Sequence, residues 1–81
     1  MGTEGVAGLQ RAIAVAGAKN IITSLWPVDD NATQFFIINF YDNFSKSKDI
    51  EQAFKFAKNE TKLKFQNPYF WAAFILIKTF N

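Results

Sequence analysis

The stretch Trp26-Pro27-Val28-Asp29-Asp30 decides the interpretation of the fold, because it follows an apolar strand and opens an amphipathic helix. Pro27 cannot donate a hydrogen bond to a strand ladder, so it marks the end of the strand before it. The two aspartates then lie at the carboxyl end of that strand, which is where open α/β sheets place their ligand crevice. This segment is therefore the first candidate for a functional site.

The residues before this segment predict a helix and then the strand itself. A helix capped by Thr3 is predicted to run to about Ala16, and Gly17 suits the turn that ends it. Its apolar positions recur at helical spacing and are Val6, Leu9, Ile13 and Ala16. The apolar run Ile21–Leu25 then predicts a short strand. Its composition is consistent with burial on both faces, as in a parallel sheet between helix layers.

Two further helices are predicted after the strand. Asp29 or Asp30 caps a helix that runs to about Phe44 and is apolar around most of its girth, so it should contact more than one surface. Asp49 followed by Gln52 resembles a capping box and predicts the start of a third helix.

Asn67-Pro68 breaks the chain, and Phe70–Ile77 predicts a final strand with β-branched and aromatic content. The fold class is α/β, with the element order helix–strand–helix–helix–strand. Two strands do not form a stable sheet alone, and both are apolar enough to need cover on each face. Only three helices are predicted, so we expect this chain to be part of a larger α/β unit.

Composition limits the chemistry that the chain can perform. Its 81 residues include ten Phe, two Trp and two Tyr, which is too apolar for a disordered segment. The sequence contains no Cys and no His, so Cys–His nucleophilic catalysis cannot be completed within it. Disulfides and thiolate metal sites are excluded for the same reason, and the commonest zinc ligands are missing. We expect no catalytic residue, no metal and no cofactor.

The net charge of +2 is mild, and most of the lysines follow residue 45. We interpret them as the solvated side of a helix and its connecting loop, because Asp49, Glu51 and Glu60 lie among them. No nucleic-acid partner is expected. The apolar run Tyr69–Ile77 has nine residues, against about 20 needed to span a bilayer, and the N-terminus does not resemble a signal peptide. We therefore expect no membrane partner and a cytoplasmic location.

Four motifs occur in order along the chain and together resemble a known family. They are Glu4-Gly5-Val6-Ala7-Gly8-Leu9, Ala16-Gly17-Ala18-Lys19, Ser24-Leu25-Trp26-Pro27-Val28-Asp29-Asp30 and Asn67-Pro68-Tyr69-Phe70-Trp71-Ala72-Ala73-Phe74. This set resembles the C-terminal part of a CHAT domain, the bacterial caspase-like and separase-like peptidase domain that is often fused to TPR repeats. The resemblance runs from about Gly2 to about Ile77.

The resemblance implies a fold and an activity. The fold would be the C-terminal part of a caspase-like Rossmann-type sandwich, and residues 1–81 would be a partial domain. The strands that carry the catalytic His and Cys of this cysteine endopeptidase family have no counterpart in the sequence. The chain alone is therefore expected to be inactive, with the missing N-terminal half or a caspase-like partner chain as its partner.

The resemblance also implies a role for the segment at the strand end. In separase-like relatives an aspartate just after the Leu-Trp strand end lines the specificity pocket and meets the basic residue before the cleaved bond. Asp30 best matches that position and Asp29 is more simply explained as a helix cap, but both remain candidates for the pocket, and which of the two faces it stays open. Trp26 either lines the same pocket or packs against the end of the sheet.

A second function remains open at this point. The chain could be an interaction module or a dimerisation fragment that docks through its strand edges, with possible self-association. A gene remnant with no function is a third interpretation.

Overall fold

The structure is a computed structural model, and it describes residues 12–15 and 20–78. Helices and strands are mixed along the chain, as the α/β prediction requires. In chain order the elements are β1 (Ala12–Val15), β2 (Asn20–Ser24), α1 (Asp30–Ser47), α2 (Ile50–Phe65), α3 (Pro68–Trp71) and β3 (Phe74–Lys78).

The sheet of the described residues has the order β1-β2-β3, and both pairings are antiparallel. The parallel arrangement suggested by the apolar run in β2 is therefore wrong. The expected burial on both faces is confirmed at its centre, because Ile22 and Thr23 point to opposite faces and are 0% and 3% exposed. β2 also has a neighbour on each side, so it does not offer the unpaired edge that docking through this strand would need.

The predicted first helix differs from the structure where the two overlap. Residues 3–11 and 16 of that helix, with Gly17, lie outside the described residues. Residues 12–15 form β1, paired with β2 through Ala14↔Ile22 and Val15↔Ile21. Ile13 fits a helical stripe, but alternating β-branched residues at 13 and 15 fit a strand equally well. Pairing with an otherwise open side of β2 decides between the two patterns.

Each long helix is capped by an aspartate that the sequence offers, and of the two candidates for α1 the structure uses Asp29. The carboxylate of Asp29 caps α1, and the Asp49 carboxylate accepts a hydrogen bond from the Gln52 N–H at 3.0 Å to cap α2. α1 continues to Ser47, beyond the predicted end near Phe44, and stops where Lys48 takes a left-handed conformation with φ 58°.

The two long helices cover one face of the sheet with aromatic side chains. Phe36 stacks on Phe74 of β3 with ring centroids 4.3 Å apart and meets Phe54 of α2 edge-on at 5.7 Å. The predicted contact of α1 with more than one surface is thus confirmed. Part of the apolar surface of α1 remains exposed, however, since Ile38 and Tyr41 are 62% and 44% exposed.

The predicted final strand begins too early. Phe70 and Trp71 belong to α3, and the strand starts only at Phe74. Asn67 caps α3 by accepting a hydrogen bond from the Tyr69 N–H, and Pro68 occupies the first helical position. Asn-Pro is thus a helix start here, because proline's missing N–H costs nothing in the first turn.

Candidate functional site

The candidate site begins where β2 ends. The Leu25 N–H donates to the Ala73 carbonyl at 2.9 Å, which extends the β2–β3 ladder by one residue beyond Ser24. The chain then turns through Trp26 and Pro27, and Val28 packs against the core beneath α1. The segment Trp26–Asp30, named here the strand-end segment, is therefore fixed at one end by the sheet and at the other by a core contact.

Asp29 is used by the backbone of α1. One of its carboxylate oxygens accepts hydrogen bonds from the Asn31 N–H at 2.9 Å and the Ala32 N–H at 3.2 Å, and its own carbonyl accepts the first helical bond from Thr33. These contacts satisfy N–H groups that have no partner inside the helix. The capping role predicted for Asp29 is confirmed.

Asp30 has a different environment. It is the first residue of α1 and is exposed, and among the described residues its carboxylate has no hydrogen-bond or ion-pair partner. As the first residue of α1, Asp30 places its side chain at the positive end of the helix dipole. A charged carboxylate that is neither neutralised nor used as a cap can accept a bidentate pair of hydrogen bonds from a guanidinium group.

Trp26 is held in place by α3. Its indole Nε1–H donates to the Tyr69 carbonyl at 3.0 Å, and the two rings stack with centroids 6.2 Å apart. The Tyr69 hydroxyl in turn donates to the Pro27 carbonyl at 2.7 Å. Trp26 is only partly buried. It therefore forms a partly buried aromatic contact with Tyr69 at the end of the sheet.

Tyr69 is the site residue that sequence reasoning missed. Its two hydrogen bonds join positions more than 40 residues apart in the chain, a contact that no local pattern reveals. The available signal was Asn67-Pro68, which starts a short helix and turns the following aromatic residue toward the strand end. Trp71, on the same short helix, donates to the Gln66 carbonyl at 2.9 Å, with the Lys62 ammonium 5.0 Å from its ring centroid.

A shallow polar hollow of about 610 Å³ lies elsewhere, at the opposite end of β2. It is lined by Asn20, Ser47, Lys48, Asp49, Glu51 and Lys78. Because Asn20 begins β2 and Trp26 follows its end, this hollow is distinct from the strand-end segment. The volume of this hollow does not by itself identify it as the functional site.

The strand-end segment offers carboxylate, indole and backbone groups that can make polar and aromatic contacts with a ligand. The hydroxyls of Thr23, Ser24 and Tyr69 lie near this segment, and the sequence holds no His to act as their base. Among the described residues, no group of three His, Cys, Asp or Glu side chains could hold a metal ion. Within the same part of the chain, no helix is long and apolar enough to cross a membrane.

Fold and site together define an α/β chain in which the Asp30 carboxylate, at the start of the helix that follows the central strand, has no polar partner within the described ranges. The chain belongs to the CHAT domain family, a caspase-like family whose sequence profile matches residues 1–79. The motifs that suggested this resemblance thus lead to the correct family.

Curated relatives include Tetratricopeptide repeat protein 28 from Homo sapiens, 36% identical over 78 residues, which are 91% of this chain and 3% of that protein. The Mus musculus protein of the same name is 32% identical over the same length. The chain thus spans about 3% of the length of these relatives. Both are mammalian, so the expected bacterial setting has no support. No solved structure matches the chain.

Proposed function

We propose that this chain supplies the specificity-pocket segment of a caspase-like cysteine endopeptidase domain, with Asp30 binding the basic side chain before the cleaved bond. Family membership supports the general assignment. One observation supports the finer assignment, which is the pocket role of Asp30. Asp29 is used by the helix backbone, whereas the adjacent Asp30 carboxylate is exposed and has no polar partner among the described residues.

The chemistry of an arginine or lysine side chain suits this position. Asp30 can pair with the cation directly, and the first turn of α1 holds the carboxylate near a fixed backbone dipole. Trp26 would line the same pocket and offer an apolar surface to the side chain's methylene groups. Its indole is oriented by the hydrogen bond to Tyr69, so the aromatic surface is in place before the substrate arrives.

The chain would depend on a second segment for catalysis. A cysteine nucleophile and a histidine base are required, and neither residue type occurs in the 81 residues. The partner would be a His- and Cys-bearing segment, either from the same longer polypeptide or from a caspase-like partner chain. The chain alone would cleave nothing.

Cleavage assays with the chain alone and with the assembled domain test this proposal. Peptides with Arg, Lys or Ala before the scissile bond are compared, and cleavage is expected only in the assembled domain. In that domain Asp30→Asn should lower kcat/KM for the Arg peptide about 30-fold or more, corresponding to about 2 kcal/mol, while changing the Ala value little.

Asp29→Asn is the matched control, because asparagine retains the cap while the charge is removed in the same way. It should leave the Arg-to-Ala ratio of kcat/KM unchanged. If Asp29→Asn, and not Asp30→Asn, lowers the Arg-to-Ala ratio of kcat/KM, then Asp29 is the pocket residue. If neither variant changes the ratio, the strand-end segment is only a strand end and a helix cap.

A further inference from the structure

β3 is one of the two edge strands of the sheet, the other being β1, and one side of its backbone has no strand partner among the described residues. Leu25 and Ala73 form a hydrogen-bonded pair, so the next pair, Ser24 and Phe74, is not hydrogen-bonded across the strands. The N–H and C=O groups of Phe74 therefore point away from β2. The same alternation turns the backbone groups of Leu76 and Lys78 outward, and these three residues form the β3 outer edge.

An edge of this kind can form backbone hydrogen bonds with a further strand. The sequence of β3, Phe-Ile-Leu-Ile-Lys, has four apolar residues in a row, and unpaired backbone groups on such a strand can template pairing with a second chain. Natural proteins reduce this risk by placing charged side chains, especially lysine, at the edge.

Lys58 of α2 lies at the start of this edge. Its ammonium donates to the Phe74 carbonyl at 3.1 Å, one of the acceptors that an added strand would use. The same ammonium lies 5.6 Å from the centroid of the Phe54 ring. Partial burial lowers the pKa of Lys58 below its ordinary 10.5, because desolvation disfavours the charged form.

A second ionic contact lies at the other end of the edge. Lys78 pairs with Glu51, seven residues before Lys58 on α2. Seven helical residues rise about 10.5 Å, and the four steps from Phe74 to Lys78 cover about 13 Å. One face of α2 therefore runs antiparallel to β3 along its length, and its charged residues meet both ends of the strand.

We propose that Lys58 blocks strand addition at the β3 outer edge, and that a second copy of this chain, pairing β3 with β3, is the occupant it excludes. An incoming strand would have to displace the ammonium from the Phe74 carbonyl and cover this partly buried cation with its own apolar side chains. That further desolvation is unfavourable for a lysine that has no ion-pair partner among the described residues. The apolar strand β3 is complementary to itself, so β3 of a second copy can pair with it, and a second copy is present wherever the chain is.

Lys58→Met tests this role, because methionine retains most of the apolar stem and removes only the ammonium. Lys55→Met is the matched control on an exposed part of the same helix, and Lys58→Arg should preserve the block. Sedimentation velocity should show self-association of Lys58→Met that is at least about tenfold tighter than that of the control. Lys58→Arg should match the unaltered chain.

Amide hydrogen exchange locates the contact. In Lys58→Met the outward Leu76 N–H should become more protected as protein concentration rises, while the Ile75 and Ile77 amides, already bonded to β2, should change little. Equal association of Lys58→Met and Lys55→Met, or association without protection at Leu76, would overturn the proposal. A separate measurement needs no variant: concentration-dependent protection of Leu76 in the unaltered chain would show that Lys58 does not close the edge.

Discussion

The interior beneath α1 and the strand-end segment Trp26–Asp30 are stabilised by different interactions. In the interior Ile22, Phe36 and Phe74 are fully buried, and the contacts are between apolar side chains. At the strand end the contacts are hydrogen bonds to carbonyl and N–H groups, and Trp26 is only partly buried. The interior therefore provides the stability of the chain, whereas the strand end provides a rigid position for a polar side chain.

This difference means that the two regions should respond differently to substitution. Truncating an interior side chain removes apolar contacts and leaves a cavity, both of which destabilise the fold. Changing a strand-end residue removes one or two polar contacts that water can partly replace. Substitutions in the strand-end segment should therefore change ligand binding with only a small loss of unfolding free energy.

The largest effect is expected for Phe36→Ala. The ring contacts both β3 and α2, so its removal should cost about 3–5 kcal/mol of unfolding free energy, a large part of the stability of a chain of this size. Chemical denaturation followed by circular dichroism measures the change. Ile38→Ala, on the same helix but 62% exposed, should stay within about 0.5 kcal/mol of the unaltered chain. Equal losses would mean that the core does not lie beneath α1.

A smaller loss is expected for Asp29→Ala. It leaves the N–H groups of Asn31 and Ala32 without their acceptor, which should cost about 0.5–2 kcal/mol in the same denaturation experiment. Asp29→Asn should recover most of that stability. A loss of similar size in both variants would indicate that charge, and not the capping geometry, is what Asp29 contributes.

The smallest of the three effects is expected for Tyr69→Phe. It removes the hydroxyl that donates to the Pro27 carbonyl at an exposed position, so it should cost about 0.5–1 kcal/mol. Trp26 fluorescence should report a local change, although Trp71 also contributes to the signal. Tyr41→Phe, also exposed, is the control and should have no effect on either measurement. An unchanged spectrum and stability in Tyr69→Phe would show that α3 does not orient the strand end.

Much of the fold follows from local patterns in the sequence. The aspartate caps at 29 and 49 and the end of β2 near Pro27 were predicted correctly, because each depends on the backbone chemistry of a few neighbouring residues. Antiparallel pairing of β1 could not be predicted in this way. Residues 12–15 fit two periodicities, and the choice depends on pairing with β2.

The candidate site was predicted only in part. The sequence located Asp29 and Asp30, and the capping rule favoured Asp29 for the backbone role. The contact between Tyr69 and the strand end joins distant parts of the chain, so it could be seen only in the structure. The lysines after residue 45, which include Lys58, were interpreted as solvated, whereas the Lys58 ammonium donates a hydrogen bond to the Phe74 carbonyl. Long lysine side chains can reach polar groups that their Cα positions do not suggest.

Charge reversal at Asp30 tests the central claim most directly. In the assembled domain Asp30→Lys should invert the substrate preference, lowering kcat/KM for Arg peptides and raising it for Glu peptides, because like charges repel in the same pocket and opposite charges attract. The expected change in the Arg-to-Glu ratio of kcat/KM is about 100-fold or more, equivalent to about 2.7 kcal/mol. An unchanged ratio in an enzyme that still cleaves Ala peptides would contradict the assignment of Asp30 to the specificity pocket.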